Sequence, residues 1–402
     1  MNSRPLRIAV IGPRGIPSSY SGIERVAESL YGILAERGHE VTVYCRPEYV
    51  PASPHIYRGV RLVRAPALNG RSLGTLSHVA ASTAHATLRG DYDVVHLHAL
   101  APGLLSPLCR LFSIPTVATV QGLDWQRAKW KGLGSKVLRR AERSLVANVD
   151  EIITVSRDLE RYFLSEYGRR TVVIPNGTEP TPLDTPLDQA LLDRLGLVPH
   201  QYVLFVARLV PEKRAEDLIR AVRAVDTPFK LAIVGDSSHT DAYVAELHRL
   251  AAGDPRVVFA GTRPRADLDS LFRAAAVYVL PSELEGMPMA LLQSLEVGVP
   301  AIVSDIPVHQ EIFEPIPDYD LLFPTGNVAA LAACLTRVLA HSDHYRGVAA
   351  RVQEHVRRSY SWPAIAAQTE SLYYQIVERK TRRTARQSAP AAILDPSRSV
   401  TA

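Results

Sequence analysis

The chain has 402 residues, a formal net charge of +5, and 47% hydrophobic against 22% charged residues, as in ordinary globular proteins of two or three domains. Its three cysteines have neither the spacing of a disulfide framework nor that of a zinc site, which fits a reducing compartment. Neither a secretory leader nor an apolar run of bilayer-spanning length is recognisable, so a cytoplasmic protein is expected. The modest positive charge suits an anionic ligand or membrane face, and no nucleic-acid partner is expected.

The chain opens with the pattern of a βαβ unit. Residues 6–11 and 41–45 are predicted as strands and residues 22–36 as the helix between them. The glycine-containing loop 12–17 then lies at the carboxyl end of the first strand, the usual ligand crevice of open α/β sheets. A dinucleotide site is disfavoured because the loop lacks Gly-x-Gly-x-x-Gly and the second strand does not end in an acid.

Two Asp-x-Asp triplets, at 91–93 and 318–320, raise the question of a metal site. The first precedes a predicted strand at 94–97 and so lies at the end of the sheet away from the crevice. The second lies in a loop, and no metal site is predicted for either. On the same strand His96 and His98 share one face, and His98, nearest the carboxyl end, is a candidate acceptor contact.

A basic segment, residues 127–143, follows the next predicted strand at 115–120. Apolar side chains are interleaved with its lysines and arginines. This pattern fits contact with an anionic lipid surface, and it fits a solvated helix face equally well.

Residues 179–199 are rich in Pro, Asp and Thr and are predicted as an inter-domain linker with one short helix. A second α/β half begins with a strand at 202–207, and Arg208 and Lys213 follow it in a strand-to-helix loop. A guanidinium fork and an ammonium at such a place can clamp a diphosphate and offset leaving-group charge.

The most informative stretch is 281–300. It follows a predicted strand at 275–280 and gives a tight acidic loop, a helix start at Pro288, and a helix stop at Gly298. A helix start at the carboxyl end of a parallel strand attracts phosphate. Glu285 in the turn is placed to face whatever that phosphate carries. An ordinary βα unit with a solvated acidic loop is the alternative.

Several of these stretches resemble the family 4 retaining glycosyltransferases, and among them a bacterial polysaccharide, rhamnosyltransferase-like subgroup. The matching stretches are Arg-Gly-Ile-Pro at 14–17, Gly-Leu-Asp-Trp at 122–125, Pro-Asn-Gly at 175–177, the Arg208 and Lys213 pair, and Glu285-Gly286. The resemblance covers about residues 6–378.

The resemblance implies the GT-B fold, in which two Rossmann-like parallel-sheet domains face each other across a cleft. The expected divisions are an acceptor domain at 1–178, the linker at 179–199, a nucleotide-sugar domain at 200–358, a helix returning to the first domain at 359–378, and a disordered tail at 379–402.

The resemblance also implies roles for individual residues. Glu285, Arg208 and Lys213 are expected to be catalytic, with Glu285 against the donor sugar. Acceptor contacts are expected from His98, Asp124 and Asn176. Donor binding is expected from Ser21, Gly22, Gln121, Gly286, Met287, Pro288 and Gln293.

Two departures from the family pattern bear on activity. Gln121 stands where the family has His, and Gln293 stands where it has the Glu that holds the ribose. Charge-assisted hydrogen bonds contribute about 1.5–3 kcal/mol against about 1 for neutral ones, so Gln293 predicts weaker or altered nucleotide binding and not its loss.

The implied activity is transfer of a sugar, with retention and without metal or cofactor, from a nucleotide diphosphate sugar to a hydroxyl acceptor. A role in cell-surface polysaccharide or glycoconjugate synthesis is expected, with a lipid-linked acceptor and a peripheral position on the inner membrane face among the options. The alternative is a catalytically degenerate relic that serves as a binding or scaffold protein. A GT-B nucleotide-sugar epimerase is disfavoured because the motifs are those of transferases.

Overall fold

The computed structural model describes residues 4–17, 22–50, 52–53, 55–68, 70–126, 132–182, 184–237 and 240–388. They form two α/β halves, each built on one largely parallel sheet with helices packed against it.

The first half contains an eight-stranded sheet. Its strands run in the order β3-β4-β2-β1-β5-β6-β7-β8, and every neighbouring pair is parallel except β3 and β4. The strands are β1 (Arg7–Ile11), β2 (Glu40–Cys45), β3 (Ile56–Tyr57), β4 (Val60–Arg64), β5 (Val94–His98), β6 (Thr116–Val120), β7 (Glu151–Thr154) and β8 (Val172–Val173). Its helices are α1 (Gly22–Glu36), α2 (Arg71–Leu88), α3 (Ser106–Leu111), α4 (Leu133–Asn148) and α5 (Arg157–Tyr167).

The second half contains a six-stranded parallel sheet in the order β11-β10-β9-β12-β13-β14. The strands are β9 (Tyr202–Val206), β10 (Lys230–Val234), β11 (Val257–Gly261), β12 (Val277–Leu280), β13 (Ala301–Ser304) and β14 (Leu322–Phe323). The helices are α6 (Gln189–Leu195), which precedes the sheet, then α7 (Ala215–Ala224), α8 (Asp241–Ala251), α9 (Arg265–Arg273), α10 (Met289–Glu296), α11 (Pro307–Phe313), α12 (Val328–Ala340), α13 (Ser342–Ser359) and α14 (Trp362–Ser388).

The central strands are continuous apolar runs because helices cover both faces of a parallel sheet. In β12 all four residues are buried, and in β1 the last four are. Such strands leave polar groups only at their ends, and their carboxyl ends carry the loops that form the site.

The last helix returns to the first half. Trp362 and Tyr373 of α14 are buried in the same core as Leu30 and Leu34 of α1. The preceding residues pair with the end of the first half, since the Thr178 amide donates to the Tyr360 carbonyl at 2.7 Å. The expected helix at 359–378 ends too early: α14 continues to Ser388, so residues 379–388 are helical and not part of a disordered tail.

Candidate active site

Two loops of the second half are fastened together at the carboxyl ends of β9 and β12. The Glu283 amide donates to the Glu212 carbonyl at 3.0 Å, and an Arg214 guanidinium nitrogen donates to the Glu283 carboxylate at 3.1 Å. The loop that carries Lys213 therefore has a fixed position against the loop that carries Glu285.

Lys213 and Glu285 form an ion pair at the centre of this junction. The Lys213 ammonium donates to Oε1 of Glu285, and the Ser282 hydroxyl donates to the same oxygen at 2.8 Å. Only 14% of the Lys213 side chain and 8% of the Glu285 side chain are exposed. Burial alone would raise the pKa of Glu285, but Lys213, His309 and the Ser282 bond outweigh it and lower that pKa. The carboxylate is therefore ionised at neutral pH.

His309 and Ser304 are site neighbours for which no role was predicted. His309 is fully buried, its Nδ1 lies 2.9 Å from the Ser304 carbonyl, and no described residue is a partner for its Nε2. Burial lowers its pKa to about 4 against the opposing effect of Glu285, so the ring is neutral. A lone histidine five residues past a strand end gives no recognisable motif; only its position after β13 pointed to the crevice.

Gly286 marks the place where the two halves meet. A Cβ built on Gly286 would lie 1.9 Å from the carbonyl oxygen of Gln121, which belongs to the loop after β6. Only glycine permits this approach. The turn that carries Glu285 thus lies directly against the first half.

The predicted residues Gln121 and Asn176 form an amide pair beside this contact. The Asn176 amide nitrogen donates to Gln121 Oε1 at 2.9 Å and to the Met287 carbonyl at 3.2 Å, while the Gln121 amide donates back at 3.1 Å. Asn176 is buried, so these bonds connect two loops of the first half with the Met287 backbone.

Gln293 faces the chain segment that leaves the first half. Its Oε1 accepts from the Thr178 hydroxyl at 3.2 Å, and its Nε2 donates to the Thr181 hydroxyl at 2.7 Å. In this conformation both ends of the amide are engaged by the protein. The ribose contact of Gln293 stays a prediction, and the two threonines are partners that the motif did not indicate.

Two helix starts meet near the turn. Gly22 begins α1, and a Cβ on it would lie 3.6 Å from the Met289 sulfur at the first residue of α10. Pro288 occupies the cap position of α10, one residue before the helix, where its missing N–H costs nothing. Ser21 lies outside the described residues.

The remaining predicted residues are Arg208, Asp124 and His98. Arg208 is half-buried two residues after β9, on the same loop as Lys213, and Asp124 opens a short 3₁₀ turn after Gly122. The acceptor contact expected of His98 stays a prediction. Its ring is buried, stacks on His96 at 4.3 Å between centroids, and its Nε2 lies 2.5 Å from the Tyr31 hydroxyl.

The loop that includes Trp125 is anchored from behind by a buried carboxylate. Glu142 of α4 accepts from the Trp125 indole at 2.8 Å and from the Tyr162 and Tyr167 hydroxyls at 2.7 and 2.5 Å. The Arg139 guanidinium lies 3.7 Å above the Trp125 ring. These contacts fix the first-half wall of the site.

Each Asp-x-Asp triplet includes an aspartate that accepts hydrogen bonds from protein groups in the part of the chain that the structure describes. Asp93 accepts from Arg4 and from the Arg7 amide, and Asp320 accepts from Tyr345. No three His, Cys, Asp or Glu side chains are grouped to hold a metal ion among the described residues.

Comparison with known proteins identifies the family. The model of "Glycosyltransferase Family 4" matches residues 20–181, and that of "Glycosyl transferases group 1" matches residues 196–355. A D-inositol 3-phosphate glycosyltransferase of Geodermatophilus obscurus is 30% identical over 309 residues, 68% of each chain. The chain belongs to glycosyltransferase family 4. A second relative with the same activity in its name, from Corynebacterium efficiens, is 28% identical to this transferase over 93% of each chain.

Solved structures confirm the GT-B fold of the transferase. The sucrose-phosphate synthase of Thermosynechococcus elongatus superposes with a TM-score of 0.77 at 23% identity, over 94% of this chain and 100% of the other. HepE of Anabaena, solved with UDP-glucose, has a TM-score of 0.75 at 19% identity, over 91% of this chain and 99% of its own. The chain is thus a GT-B glycosyltransferase.

Proposed function

We propose that this enzyme moves a sugar from a nucleotide diphosphate sugar to a hydroxyl acceptor, with retention and without a metal ion. The observation that carries the proposal is the Lys213–Glu285 pair, held between the β9 and β12 loops and lying against the first half at Gly286. A cation, an ionised carboxylate and a helix start thereby converge where the two halves meet.

The diphosphate binds between Arg208, Lys213 and the start of α10. The ammonium and guanidinium neutralise the charge that develops on the leaving phosphate, and the unpaired amides of the helix start add donors. Because these groups are partly desolvated and already in place, their stabilising effect on the leaving group is larger than it would be in water.

Glu285 orients the donor sugar. Both of its protein donors use Oε1, and no described residue donates to Oε2, which we assign to a sugar hydroxyl. In the retaining step the bond from the anomeric carbon to the phosphate oxygen breaks, and a bond to the acceptor oxygen forms on the same face. The leaving phosphate oxygen takes the acceptor proton, so a separate base is not required.

For the donor and the acceptor we propose chemical classes and not single compounds. HepE, which shares the fold, was solved with UDP-glucose, and uridine diphosphate sugars are therefore the first donors to test. We place the reaction in cell-surface polysaccharide or glycoconjugate synthesis, with a lipid-linked acceptor and peripheral attachment at the inner membrane face. None of the described helices is long and apolar enough to cross a bilayer. Residues 127–131 lie outside the described part of the chain.

A non-catalytic scaffold is the second candidate, and the engagement of both glutamines favours it. Gln121 is bonded to Asn176, and Gln293 to Thr178 and Thr181, so neither amide side chain has an end without a protein partner. Binding of a nucleotide sugar without hydrolysis or transfer would identify this case.

The test is a panel of nucleotide sugars screened by thermal shift, followed by a nucleotide-release assay with the donors that stabilise the protein. A ligand at about 100 times its dissociation constant adds about 2.7 kcal/mol to the free energy of unfolding. We expect stabilisation by one donor class, release of its nucleotide, and loss of release in Lys213→Met. Release that survives this substitution would overturn the proposal.

A further inference from the structure

A cationic groove lies on the first half, on the surface of α4. It has a volume of about 750 Å³ and is lined by Leu104, Pro107, Lys136, Arg139, Arg140, Arg143 and Ser144. This volume falls in the range of about 300–1,000 Å³ typical of small-molecule sites.

Four cationic side chains line the groove. Lys136, Arg139, Arg140 and Arg143 are exposed, and no described residue forms an ion pair with any of them. The acid of α4, Glu142, is buried and accepts from Trp125, Tyr162 and Tyr167. The facing wall, residues 101–111, contains no Asp or Glu. Four like charges this close repel one another, and an anion between them would relieve that cost.

Arg139 connects the groove with the loop that carries Gln121. Arg139 lines the groove and also covers the Trp125 ring at 3.7 Å. Trp125 follows Gln121 in the same loop, and the Gln121 carbonyl touches the Gly286 turn. The groove therefore belongs to the half opposite the proposed diphosphate clamp.

We propose that this groove binds a phosphoryl or diphosphoryl group carried by the acceptor. The inference rests on the proposed function and narrows its acceptor class to phosphorylated hydroxyl compounds. Arginine forks and a lysine are the side chains that recognise phosphoryl oxygens, and Leu104 and Pro107 provide an apolar wall for the group attached to them. Because no aromatic side chain among the described residues lines the groove for stacking, a single-stranded nucleic acid is a poorer fit.

A bilayer surface is the competing occupant. It would use the same cations, and Leu111 and Leu133, with side chains 75% and 76% exposed, lie at the ends of the two helices involved. We favour the acceptor phosphate because the cations line a concave groove, which can enclose a single phosphoryl group more closely than it can a planar surface.

The test compares inorganic pyrophosphate binding, by isothermal titration calorimetry, in four proteins. They are the wild type, the groove variant Arg140→Gln/Arg143→Gln, the control Arg194→Gln/Arg351→Gln, and Lys213→Met. Arg139 is left intact so that the Trp125 loop is not disturbed, and the control removes two exposed arginines of the second half that form no ion pair with a described residue.

Because the proposed clamp at Lys213 also takes a diphosphate, we expect two pyrophosphate sites in the wild type. The affinity of the groove site should fall at least tenfold in the groove variant and stay unchanged in the control and in Lys213→Met, in which only the clamp site is weakened. Equal affinity in the groove variant and the wild type would overturn the proposal. So would an adventitious ion only, seen as an equal response to sulfate and an equal loss in the control.

Sedimentation with vesicles of phosphatidylglycerol and phosphatidylcholine separates the bilayer alternative. Loss of vesicle binding in the groove variant, with pyrophosphate binding unchanged, would assign the groove to the membrane and overturn the proposal. Since none of these measurements requires turnover, their failure is distinct from failure of Lys213→Met to lower transfer.

Discussion

The Lys213 ammonium donates to Oε1 of Glu285, although the two residues are 72 positions apart in the sequence. Each comes from a loop at the carboxyl end of its own strand, β9 or β12, and both side chains are largely buried. Breaking a buried pair by removing one partner is costly because the other charge is left uncompensated. The pair is therefore both a structural joint and the proposed donor clamp, and the two roles can be separated by substitution.

Removal of the ammonium should lower transfer by about 100-fold or more, the usual effect of losing one preorganised donor to developing charge. In Lys213→Met the side chain is one atom shorter, stays unbranched and loses its charge. The measurement is kcat/KM for donor consumption, together with the urea midpoint of unfolding.

A double variant separates catalysis from stability. Lys213→Met alone should cost about 3–5 kcal/mol of folding free energy, because the Glu285 carboxylate loses its partner. Lys213→Met/Glu285→Gln should regain most of that stability but none of the activity. Recovery of transfer in the double variant would show that Lys213 only supports the fold.

Gly286→Ala should push the two halves apart at the Gln121 loop. The added methyl would lie 1.9 Å from the Gln121 carbonyl oxygen, and such overpacking costs about 1–3 kcal/mol. We expect a severalfold rise in the KM for the donor and a larger radius of gyration by small-angle scattering.

Gly347→Ala is the matched control for this substitution. Gly347 lies inside α13, and a Cβ there meets nothing within 4 Å. Alanine in a helix interior should be neutral or stabilising by about 0.5–1 kcal/mol. If Gly286→Ala behaved like this control, the close approach of the two loops would not be needed for donor binding.

Gln293→Glu tests whether this position contacts the ribose. A charge-assisted bond exceeds a neutral one by about 1 kcal/mol, so nucleoside diphosphate affinity should rise about fivefold. The Thr181 hydroxyl, which now accepts from Gln293, can rotate to donate to a carboxylate. A 2′,3′-dideoxynucleoside diphosphate should show no gain. A gain of equal size with both ligands would argue against a ribose contact.

Acidification should destabilise the protein through its buried neutral histidines. Burial lowers the pKa of His98 to about 3 and that of His309 to about 4, against an ordinary value of 6.5. The unfolded chain thus binds protons that the folded chain does not, so stability is retained above pH 6.5 and lost as the pH falls below it.

His309→Asn measures one of these contributions, since the Asn amide can still donate to the Ser304 carbonyl. Between about pH 5 and pH 6.5, the slope of the unfolding free energy against pH should be smaller in the variant by up to about 1.4 kcal/mol per pH unit. The measurement is urea unfolding at several pH values in this window, where depressed carboxylates contribute little. An unchanged slope would mean that His309 is protonated in the folded protein.

The hydrophobic pattern of the sequence was sufficient to predict the buried strands and helices. The bounds of α1 at 22–36 were predicted as they are observed, and those of β6 were predicted to within one residue, because apolar runs and glycine stops mark them. No prediction covered α2, whose Ala, Ser, Thr and His content blurs the helical period, or α13, which buries only a narrow apolar stripe under many charges. The later end of α14 could not be predicted because its last turns carry few apolar residues.

Sequence patterns located the loops of the site but not the contacts between their side chains. Motifs indicated the loops of Lys213 and Glu285, but not that the two side chains pair. Strand alternation indicated the face on which His98 lies, but not that its ring is buried beneath neighbouring elements. The engagement of Gln293 by Thr178 and Thr181 depends on how the linker crosses α10, which no local pattern records.

The central claim is that Arg208, Lys213 and the turn at Gly286 hold a diphosphate. The direct measurement is the affinity of wild-type protein and Lys213→Met for a nucleoside diphosphate and for the corresponding monophosphate. The wild type should prefer the diphosphate by at least about tenfold, a difference of about 1.4 kcal/mol, and Lys213→Met should lose that preference. Equal affinity for the two nucleotides in the wild type, or an undiminished preference in Lys213→Met, would contradict it.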